Sequence, residues 1–201
     1  MIKFNSILTI LFASFIGSTT TAQLPDKPED ISPLLIGENM PNATLKNSTG
    51  VEFQLSEIIK QKPTVLVFYR GGWCPYCNVQ LSRLAAIENQ IIDLGYQIIA
   101  VSPDNYANLK TTEEQDSFHY QLFSDPEAKL IQHVGIGFKT DLKTKGYIAA
   151  KTKGKVTEIL PVPTVMIVNQ KGEILFEYIN PNYKTRLSSE MLLAVLKTLT
   201  Q

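Results

Sequence analysis

The feature that most constrains this chain is the stretch from Thr64 to Cys77, where an apolar run leads into two glycines and two cysteines. The run Thr64–Tyr69 is rich in β-branched and aromatic residues, which is typical of a buried strand. Gly71 and Gly72 indicate a tight turn, and a long helical pattern begins at the cysteines. The sequence therefore predicts a strand, a turn and a pair of thiols at the N-terminus of a helix.

The spacing of Cys74 and Cys77 suits thiol redox chemistry. On one helical turn the two sulfurs can close a small disulfide ring, and Cys74 would lie beside unpaired N–H groups and the positive end of the helix dipole. That setting stabilises the reactive thiolate and lowers the pKa of the thiol. Pro75 fits the first helical position, where its missing N–H has no partner to lose. We therefore predict a redox-active Cys74–Cys77 disulfide and no other cofactor.

Half of a zinc site and a purely structural disulfide are the alternatives for this cysteine pair. Structural zinc needs four ligands, and beyond the two cysteines the chain offers only His119 and His133, which fall in separate predicted elements. A structural disulfide that closes so short a loop would stabilise the fold little. We therefore expect no bound metal and favour redox chemistry, since a strand, two thiols and a helix are typical of a thioredoxin-like motif.

The composition predicts an ordinary globular domain. The chain has 201 residues, 44% of them hydrophobic, and a formal net charge of zero. This length is sufficient for one domain with a full core. Basic runs interleaved with aromatic residues are missing from the sequence, so we expect no nucleic-acid partner.

The N-terminal residues 1–22 read as a secretory signal peptide. Lys3 supplies a positive start, Ile7 to Ile16 is apolar, and small residues precede a cleavage site between Ala22 and Gln23. The apolar run is short for a membrane span, although a retained anchor is the alternative. We expect an exported protein, periplasmic or secreted, with no stable membrane anchor after cleavage. Export would expose both thiols to an oxidising compartment, so reduction would need an external dithiol electron donor.

The remaining sequence predicts an α/β fold of the thioredoxin-like kind, a central mixed β-sheet flanked by helices. Strands and helices alternate through the middle of the chain, which favours a parallel sheet covered by helices. The predicted elements are a hairpin of 43–45 with 51–54, a helical turn 56–60 capped by Ser56, a helix from the thiols to about Leu94, a strand 96–101, a helix 105–112, a strand 120–123, a helix ending at His133, an antiparallel pair 165–168 and 173–179, and a last helix capped by Ser188. Residues 23–33 read as a flexible lead-in to a domain spanning 34–201. The polar composition of 138–155 predicts a solvated loop. The functional alternative for this stretch is a lid over the thiols.

The stretch from Phe68 to Cys77 resembles the peroxiredoxin-like branch of the thioredoxin superfamily, which is related to alkyl hydroperoxide reductase and thiol-specific antioxidant proteins. The resemblance runs from about Leu34 to Leu199 and includes the segments 123–126, 160–163 and 180–187. In this superfamily a cis proline before a late strand faces the thiols. The resemblance gives that place to Pro163, followed by Thr164, and implies that a cis bond would leave the Val162 backbone free to pair with a substrate peptide.

The sequence also departs from the peroxiredoxin pattern. Aligned without gaps, the peroxidatic cysteine of the family falls on Cys77, its threonine on Cys74 and its proline on Arg70. The active-site arginine of the family falls near Pro163. Arg70 and Arg186 are therefore the candidates to stabilise a thiolate or polarise a peroxide.

Two classes of function follow. The favoured one is an exported thiol-disulfide oxidoreductase acting in thiol redox homeostasis, in which Cys74 attacks a substrate disulfide and Cys77 resolves the mixed disulfide. Trp73 would shield the thiols, while Val162, Pro163 and Thr164 would position the substrate. The alternative with the same cysteines is a thioredoxin-dependent peroxide reductase, and the family alignment would then make Cys77 the attacking thiol. The expected partners are accordingly a thiol or disulfide protein, or a peroxide, together with the dithiol donor.

The second class is a copper carrier, because soft thiolates suit Cu(I). Thioredoxin-fold copper chaperones use two cysteines and a distant histidine, but they space their cysteines differently. Their histidine lies just before the proline-led strand, where the segment 138–160 has none. We therefore rank the copper carrier third, after the two thiol-redox functions.

Overall fold

The computed structural model describes residues 23–116, 119–152 and 157–200, so the predicted signal peptide lies outside the described residues. Within these ranges, none of the helices has the length and apolar character needed to cross a membrane. The first described residues lie along the strand at 137–139. The Lys139 N–H donates to the Pro25 carbonyl at 2.8 Å, and the Lys139 ammonium lies 2.7 Å from the Asp26 carboxylate. The segment predicted as a flexible lead-in therefore contacts the domain at these two points.

The described residues form strands and helices in alternation. The strands are β1 (Thr44–Lys46), β2 (Glu52–Gln54), β3 (Thr64–Phe68), β4 (Gln97–Ser102), β5 (Gln121–Ser124), β6 (Gly137–Lys139), β7 (Ile159–Pro161), β8 (Thr164–Val168) and β9 (Ile174–Ile179). The helices are α1 (Leu55–Ile59), α2 (Pro75–Ala86), α3 (Glu88–Asp93), α4 (Tyr106–Asp116), α5 (Lys129–His133), α6 (Leu142–Lys151) and α7 (Ser189–Leu199). A short 3-10 helix, Pro28–Asp30, precedes them.

The main sheet has seven strands in the order β2-β1-β5-β4-β3-β8-β9, and β6 pairs with β7 separately. Strand β3 is parallel to β4, with Thr64 opposite Gln97, and antiparallel to β8, with Thr64 opposite Val168. Strands β8 and β9 are antiparallel. The predicted mixed α/β architecture and the predicted pairing of these four strands are confirmed.

Strand β3 divides the core into two layers because its side chains alternate between the faces of the sheet. Val65, Val67 and Tyr69 belong to one cluster, which we call the site face because it contains both cysteines. Leu66 and Phe68 belong to the other cluster, which we call the support face. Helices α2, α3, α4 and α7 contribute to the site face, and helices α1 and α5 to the support face. All five residues of β3 are buried, as its sequence predicts.

The helix that follows the thiols is not continuous to Leu94. Helix α2 ends at Ala86, and Ile87, with φ −114° and ψ 7°, breaks the helical geometry before α3 begins. The break lets Glu88 turn inward, where its carboxylate accepts the backbone N–H of His119 at 3.2 Å. Ser56 is likewise not a cap, since α1 begins at Leu55, one residue earlier than predicted.

The polar composition of 138–155 predicts a loop, but the described part, 138–152, contains most of β6 and the whole of α6. Residues 153–155 lie outside the described residues. Asp141 caps α6 by accepting the Thr144 N–H at 2.9 Å and the Thr144 hydroxyl at 2.6 Å. Ile148 is the one residue of α6 that the fold buries. The helix therefore has little apolar periodicity to reveal it in the sequence.

Candidate active site

The turn between β3 and α2 favours glycine at positions 71 and 72. Gly71 has a φ of +142°, and a side chain there would meet an Asp104 carboxylate oxygen at 2.6 Å and collide with the Trp73 indole nitrogen. A side chain on Gly72 would collide with the Thr112 hydroxyl. The two glycines thus allow the chain to run close over Asp104 and α4 before it delivers the cysteines.

Cys74 is the N-cap of α2 and Cys77 lies in its first turn, as predicted. Both are free thiols. Cys74 is 1% exposed and Cys77 0% exposed, so Cys74 is not the exposed sulfur at the helix start that attack on a protein disulfide would need. The reason is that aromatic side chains from α2, α6 and the segment before α7 surround the helix start. Cys74 instead lines a cavity, and access to its sulfur depends on what that cavity admits.

The environment lowers the pKa of Cys74 from 9.0 to about 6. The largest cause is a hydrogen bond from the Cys77 thiol, which stabilises the Cys74 thiolate. The Cys77 backbone N–H and the positive charges of Arg70 and Arg186 act in the same direction and outweigh the effect of burial. The pKa of Cys74 is therefore low, as predicted, but the neighbouring thiol is the main cause and the helix N–H group makes a smaller contribution.

The same environment raises the pKa of Cys77 well above that of an ordinary thiol. Burial is the main cause, and the hydrogen bond and charge of Cys74 add to it. Arg186 opposes this effect, because its Nη2 group donates to the Cys77 sulfur at 3.4 Å. The guanidinium of Arg186 is held in place by the Gln80 side chain at 2.7 Å and the Tyr183 carbonyl at 2.9 Å.

Arg70 lies on the Cys74 side of the site. Its guanidinium carbon is 4.4 Å from the ring centroid of Tyr183 and 5.1 Å from that of Trp73, so aromatic faces hold it from two sides. Both arginines that the sequence offers as thiolate-stabilising residues therefore lie at the thiols. Arg70 acts on Cys74, and Arg186 contacts Cys77.

A cavity of about 460 Å³ opens over Cys74. Four of its ten lining residues are aromatic, and two of its three charged residues are cationic. The lining residues are Arg70, Trp73, Cys74, Pro75, Tyr76, Asp141, Lys143, Thr144, Tyr147 and Tyr183. Tyr147 of α6 packs edge-on against Trp73, with ring centroids 6.0 Å apart. The residues of α6 thus form one wall of the thiol cavity, which fits the lid alternative for this segment.

Asp104 is a buried acidic residue at the site that the sequence analysis missed. Its carboxylate accepts the Gly72 N–H at 2.8 Å, and the side chain is 6% exposed. Burial is the main reason why its pKa rises from 3.8 to about 6, and the charge of Cys74 adds to the rise. The signal was available, because Asp104 follows β4 and the carboxyl ends of the parallel strands β3 and β4 meet at one edge of the sheet.

The segment of Val162, Pro163 and Thr164 differs from the prediction. All peptide bonds of the described residues are trans, so the Val162–Pro163 bond is not cis. The Val162 backbone is also occupied, since its N–H donates to the Ile136 carbonyl at 2.8 Å and its carbonyl accepts the Thr164 hydroxyl at 2.9 Å. None of the three residues lines the cavity at Cys74. Pairing of Val162 with a substrate peptide would first require these bonds to break.

The described residues offer little to a metal ion. No group of three or more histidine, cysteine or acidic side chains comes together in this part of the chain. His119 lies at the surface, with its ring nitrogen 3.7 Å from Glu88. The copper-carrier alternative therefore gains no third ligand from the structure.

Comparisons with known proteins identify a matching family and several relatives. Residues 36–176 match the model of the AhpC/TSA family. The chain is 28% identical over 112 residues to "Peroxiredoxin bcp1" of Schizosaccharomyces pombe, which is 55% of this chain and 57% of that protein. It is 24% identical over 139 residues, 68% of this chain and 76% of the relative, to a "Thiol:disulfide interchange protein DsbE homolog" of Paracoccus denitrificans. A crystal structure of a reduced peroxiredoxin from Vibrio vulnificus in complex with hydrogen peroxide superposes with a TM-score of 0.70 at 21% identity, covering 81% of this chain and 99% of that one.

Proposed function

Because the chain belongs to the AhpC/TSA family, we propose that it is a thiol peroxidase in which Cys74 attacks a small hydroperoxide and Cys77 resolves the product. The observation that carries this proposal is the contrast between the two thiols. Cys74 has a pKa lowered to about 6 and lines a cavity, whereas Cys77 is fully buried with a raised pKa. At neutral pH the first thiol is mostly thiolate and the second holds its proton.

In the first step the Cys74 thiolate attacks the terminal oxygen of the hydroperoxide. A sulfur–oxygen bond forms, the oxygen–oxygen bond breaks, and the alkoxide that leaves takes up a proton to become an alcohol. Cys74 is thereby oxidised to a sulfenic acid and the hydroperoxide is reduced. Arg70 and Arg186, which both lower the pKa of Cys74, keep the attacking sulfur ionised.

In the second step Cys77 attacks the Cys74 sulfur, a disulfide forms and water leaves. Cys77 must give up its proton as it attacks. The Nη2 group of Arg186, 3.4 Å from the Cys77 sulfur, stabilises the negative charge that develops there. Two electrons and two protons from an external thiol donor then restore both thiols.

Peroxide is favoured over a protein disulfide by the shape of the site. Cys74 is 1% exposed at the wall of a cavity of about 460 Å³, which suits a small molecule. A protein disulfide would have to bring its sulfur to the same depth, and the Val162 backbone already has partners. Disulfide exchange through Cys74 is the second candidate. It is favoured by the position of Cys74 at the cap of α2 and by the similarity to the interchange protein of Paracoccus.

We also propose that the protein works after export, on the strength of the signal-peptide pattern in residues 1–22. The donor would then be an exported dithiol protein, because an oxidising compartment supplies no cytosolic reductant. N-terminal sequencing of the protein from the periplasmic fraction of its host tests this proposal. A mature N-terminus at Gln23 supports it, and an intact Met1 in the cytosol contradicts it.

Single cysteine variants test the order of attack. Each reduced variant is treated with one equivalent of hydrogen peroxide, and sulfenic acid is trapped with dimedone and located by mass spectrometry. We expect Cys77→Ser to accumulate sulfenic acid at Cys74, and Cys74→Ser to remain largely unmodified. Sulfenic acid at Cys77 in Cys74→Ser, with none in Cys77→Ser, would reverse the assignment. If neither variant is modified but Cys77→Ser traps a mixed disulfide with a protein substrate, the second candidate replaces the first.

A further inference from the structure

Neither sulfur of the site lies within reach of a thiol on another protein. Cys74 is 1% exposed and Cys77 0% exposed. Reduction of a Cys74–Cys77 disulfide begins when a donor sulfur bonds to one of these two sulfurs, at about 2.05 Å. The cavity of about 460 Å³ at Cys74 has room for a hydroperoxide, but a cysteine on a folded donor brings its neighbouring residues with it. Part of the cavity wall must therefore move between the two halves of the catalytic cycle.

The wall that α2 supplies is fixed by packing. Cys74 and Cys77 lie in one turn at the start of α2, so their disulfide can form without unfolding of this helix. Leu81 and Leu84 of the same helix are buried in the core of the site face. Displacement of α2 would return this apolar surface to water, which is unfavourable. Arg70, which precedes the turn to α2, is itself only 8% exposed. The moving part of the wall therefore lies elsewhere.

The wall that α6 supplies is attached much more weakly. Among the described residues of α6, Ile148 is the only one with a buried side chain. Tyr147 makes a T-shaped contact with Trp73 at a centroid distance of 6.0 Å, and Lys145 forms an ion pair with Glu158 near the surface. Such ion pairs add little stability, and a segment with few buried apolar contacts opens at a low cost in free energy. Helix α6 is therefore the part of the wall that can move.

Displacement of α6 would uncover an aromatic surface around Cys74. Helix α6 and its cap supply four of the ten residues that line the cavity, and the rings of Trp73, Tyr76 and Tyr183 would remain. Tyr76 is 41% exposed and Tyr183 38% exposed even with α6 in place, and their ring centroids are 5.7 Å apart. Aromatic residues are enriched at the centre of protein–protein interfaces. The uncovered surface thus suits a protein partner, whereas the closed cavity suits a small molecule.

We propose that α6 is a lid that determines which reactant reaches Cys74. With α6 in place, the cavity admits a hydroperoxide and excludes protein thiols. With α6 displaced, the dithiol donor binds the surface formed by Trp73, Tyr76 and Tyr183. This inference rests on the proposed peroxidase function, and it adds the element that separates the oxidative half of the cycle from the reductive half.

The reductive half runs in two thiol–disulfide exchanges once the lid is displaced. A donor thiolate attacks the Cys74 sulfur, a mixed disulfide forms, and Cys77 leaves as a thiolate that takes up a proton. The second donor thiolate attacks the donor sulfur of the mixed disulfide, and Cys74 leaves. The donor is thereby oxidised to a disulfide, and its two electrons restore the dithiol of the enzyme.

A bridge that locks α6 tests the inference. In the double variant Lys145→Cys with Glu158→Cys, one equivalent of hydrogen peroxide first closes the Cys74–Cys77 disulfide, and a short bismaleimide then joins positions 145 and 158. The control carries N-ethylmaleimide at both positions and no bridge. We expect thioredoxin to reduce the bridged enzyme roughly tenfold more slowly than the control, while dithiothreitol reduces both at similar rates.

Two results of this experiment would overturn the inference. The first is an equal rate of reduction of both enzymes by thioredoxin. The second is an equal slowing of the bridged enzyme with thioredoxin and with dithiothreitol, because the effect would then not depend on the size of the donor. Consumption of hydrogen peroxide by the two reduced enzymes should be the same, since the closed cavity admits the peroxide.

Two residues of α6 provide a matched pair of variants. Ile148→Ala loosens the buried anchor of the helix, and Leu142→Ala truncates a side chain that is 86% exposed. Reduction by thioredoxin should be severalfold faster than in the wild type in Ile148→Ala and unchanged in Leu142→Ala. A rate in Ile148→Ala that is no higher than that in Leu142→Ala would count against the lid.

Alkylation separates the inference from the peroxidase function, because it requires neither a peroxide nor a donor. Reduced bridged enzyme and reduced control are treated with iodoacetamide, or with a maleimide coupled without a spacer to a small folded protein. We expect iodoacetamide to label Cys74 equally in both enzymes, and the large reagent to label the bridged enzyme more slowly. Exclusion of the large reagent by the bridge, with no peroxide consumed, would keep the lid and refute the proposed function. Equal labelling by the large reagent would refute the lid, whatever the outcome with peroxide.

Discussion

The two faces of the central sheet share a strand and differ in chemistry. On the support face, the buried cluster contains only aliphatic residues, methionine and phenylalanine. On the site face, the cluster includes both cysteines and the tyrosines Tyr69, Tyr96 and Tyr120. Strand β3 supplies Leu66 and Phe68 to the first face and Val65 and Val67 to the second, and Tyr69, just after the strand, joins the second. One strand thus joins an apolar layer to the layer that holds the thiols.

The difference shows where the fold tolerates buried polar groups. Burial raises the pKa of Cys77, Tyr69 and Asp104, so each of the three is costly to ionise on the site face. Such groups reduce stability unless they are paired. The apolar cluster of the support face contains no such group, and its burial offsets the cost at the site. Variants on the support face should therefore change mainly the free energy of unfolding, and variants on the site face should also change the pKa of Cys74.

The largest effect on stability is expected from the support face. Phe68→Ala removes a fully buried ring from β3 and should lower the free energy of unfolding by roughly 3–5 kcal/mol. The pH at which Cys74 is half alkylated should stay unchanged, because Phe68 points away from the thiols. Urea unfolding and iodoacetamide kinetics measure the two quantities on the same samples. A shifted alkylation midpoint would show that the two faces are coupled through β3.

On the site face, removal of the Cys77 thiol should change the pKa of Cys74, with a smaller effect on stability than Phe68→Ala. Cys77→Ala removes the hydrogen bond that is the largest cause of the low pKa of Cys74. The alkylation midpoint should rise from about pH 6 toward the ordinary thiol value of about 8.5. Cys77→Ser, which keeps a donor, serves as the control and should shift the midpoint less. An unchanged midpoint in Cys77→Ala would assign the activation to the arginines and the helix terminus.

Asp104→Asn should stabilise the fold while altering the site. A folded-state pKa raised from 3.8 to about 6 means that Asp104 contributes stability below pH 4, and that this contribution is lost as pH rises through 6. The variant should therefore be more stable than the wild type at pH 7, by up to about 3 kcal/mol, and equal to it near pH 4. Because the Asp104 charge opposes the Cys74 thiolate, the alkylation midpoint should also fall slightly.

Asp125→Asn is the matched control for that change. Asp125 is also buried with a raised pKa, but its carboxylate accepts the N–H groups of Lys129 and Ile131 at the start of α5, on the support face. Because Asn accepts with one oxygen where Asp125 uses two, the control should lose one of these hydrogen bonds and with it stability. The raised pKa of Asp125 predicts that this loss is smaller at pH 7 than at pH 4, and Cys74 should be unaffected. If Asp104→Asn is destabilising as well, the hydrogen bond to Gly72 outweighs the cost of burying the charge.

The smallest effect is expected at the cap of α7. Ser188 accepts the Met191 N–H at 3.2 Å, and the helix begins just after Arg186. Ser188→Ala should lower the free energy of unfolding by about 1 kcal/mol. A rate of disulfide closure that falls together with stability would show that the cap also holds Arg186 at Cys77; an unchanged rate would limit its role to the helix.

The sequence was sufficient for those parts of the site that depend on local signals. Two glycines, Pro75 and the β-branched run predict the strand, the turn and the helix that place the thiols, and the cap at Ser188 is also confirmed. Asp104 was not predicted as a site residue because its role depends on which strand lies beside β3. Tyr147 and Lys143 were not predicted as cavity residues because α6 buries a single side chain and so leaves no helical pattern in the sequence. The prediction of a cis bond before Pro163 was wrong. It came from the family resemblance, and in this chain the Val162 N–H donates to the Ile136 carbonyl.

Trp73 gives the molecule an optical property that follows from its position. It is the single tryptophan of the chain, and it adjoins Cys74, with the Arg70 guanidinium over its ring and the Tyr147 ring in a T-shaped contact with it. It also lines a second cavity together with Asp104. Indole emission is sensitive to nearby charges and thiolates, so the intrinsic fluorescence of the unlabelled protein should change when Cys74 is oxidised. The protein therefore contains its own reporter, and each half-reaction could be followed in real time without a dye.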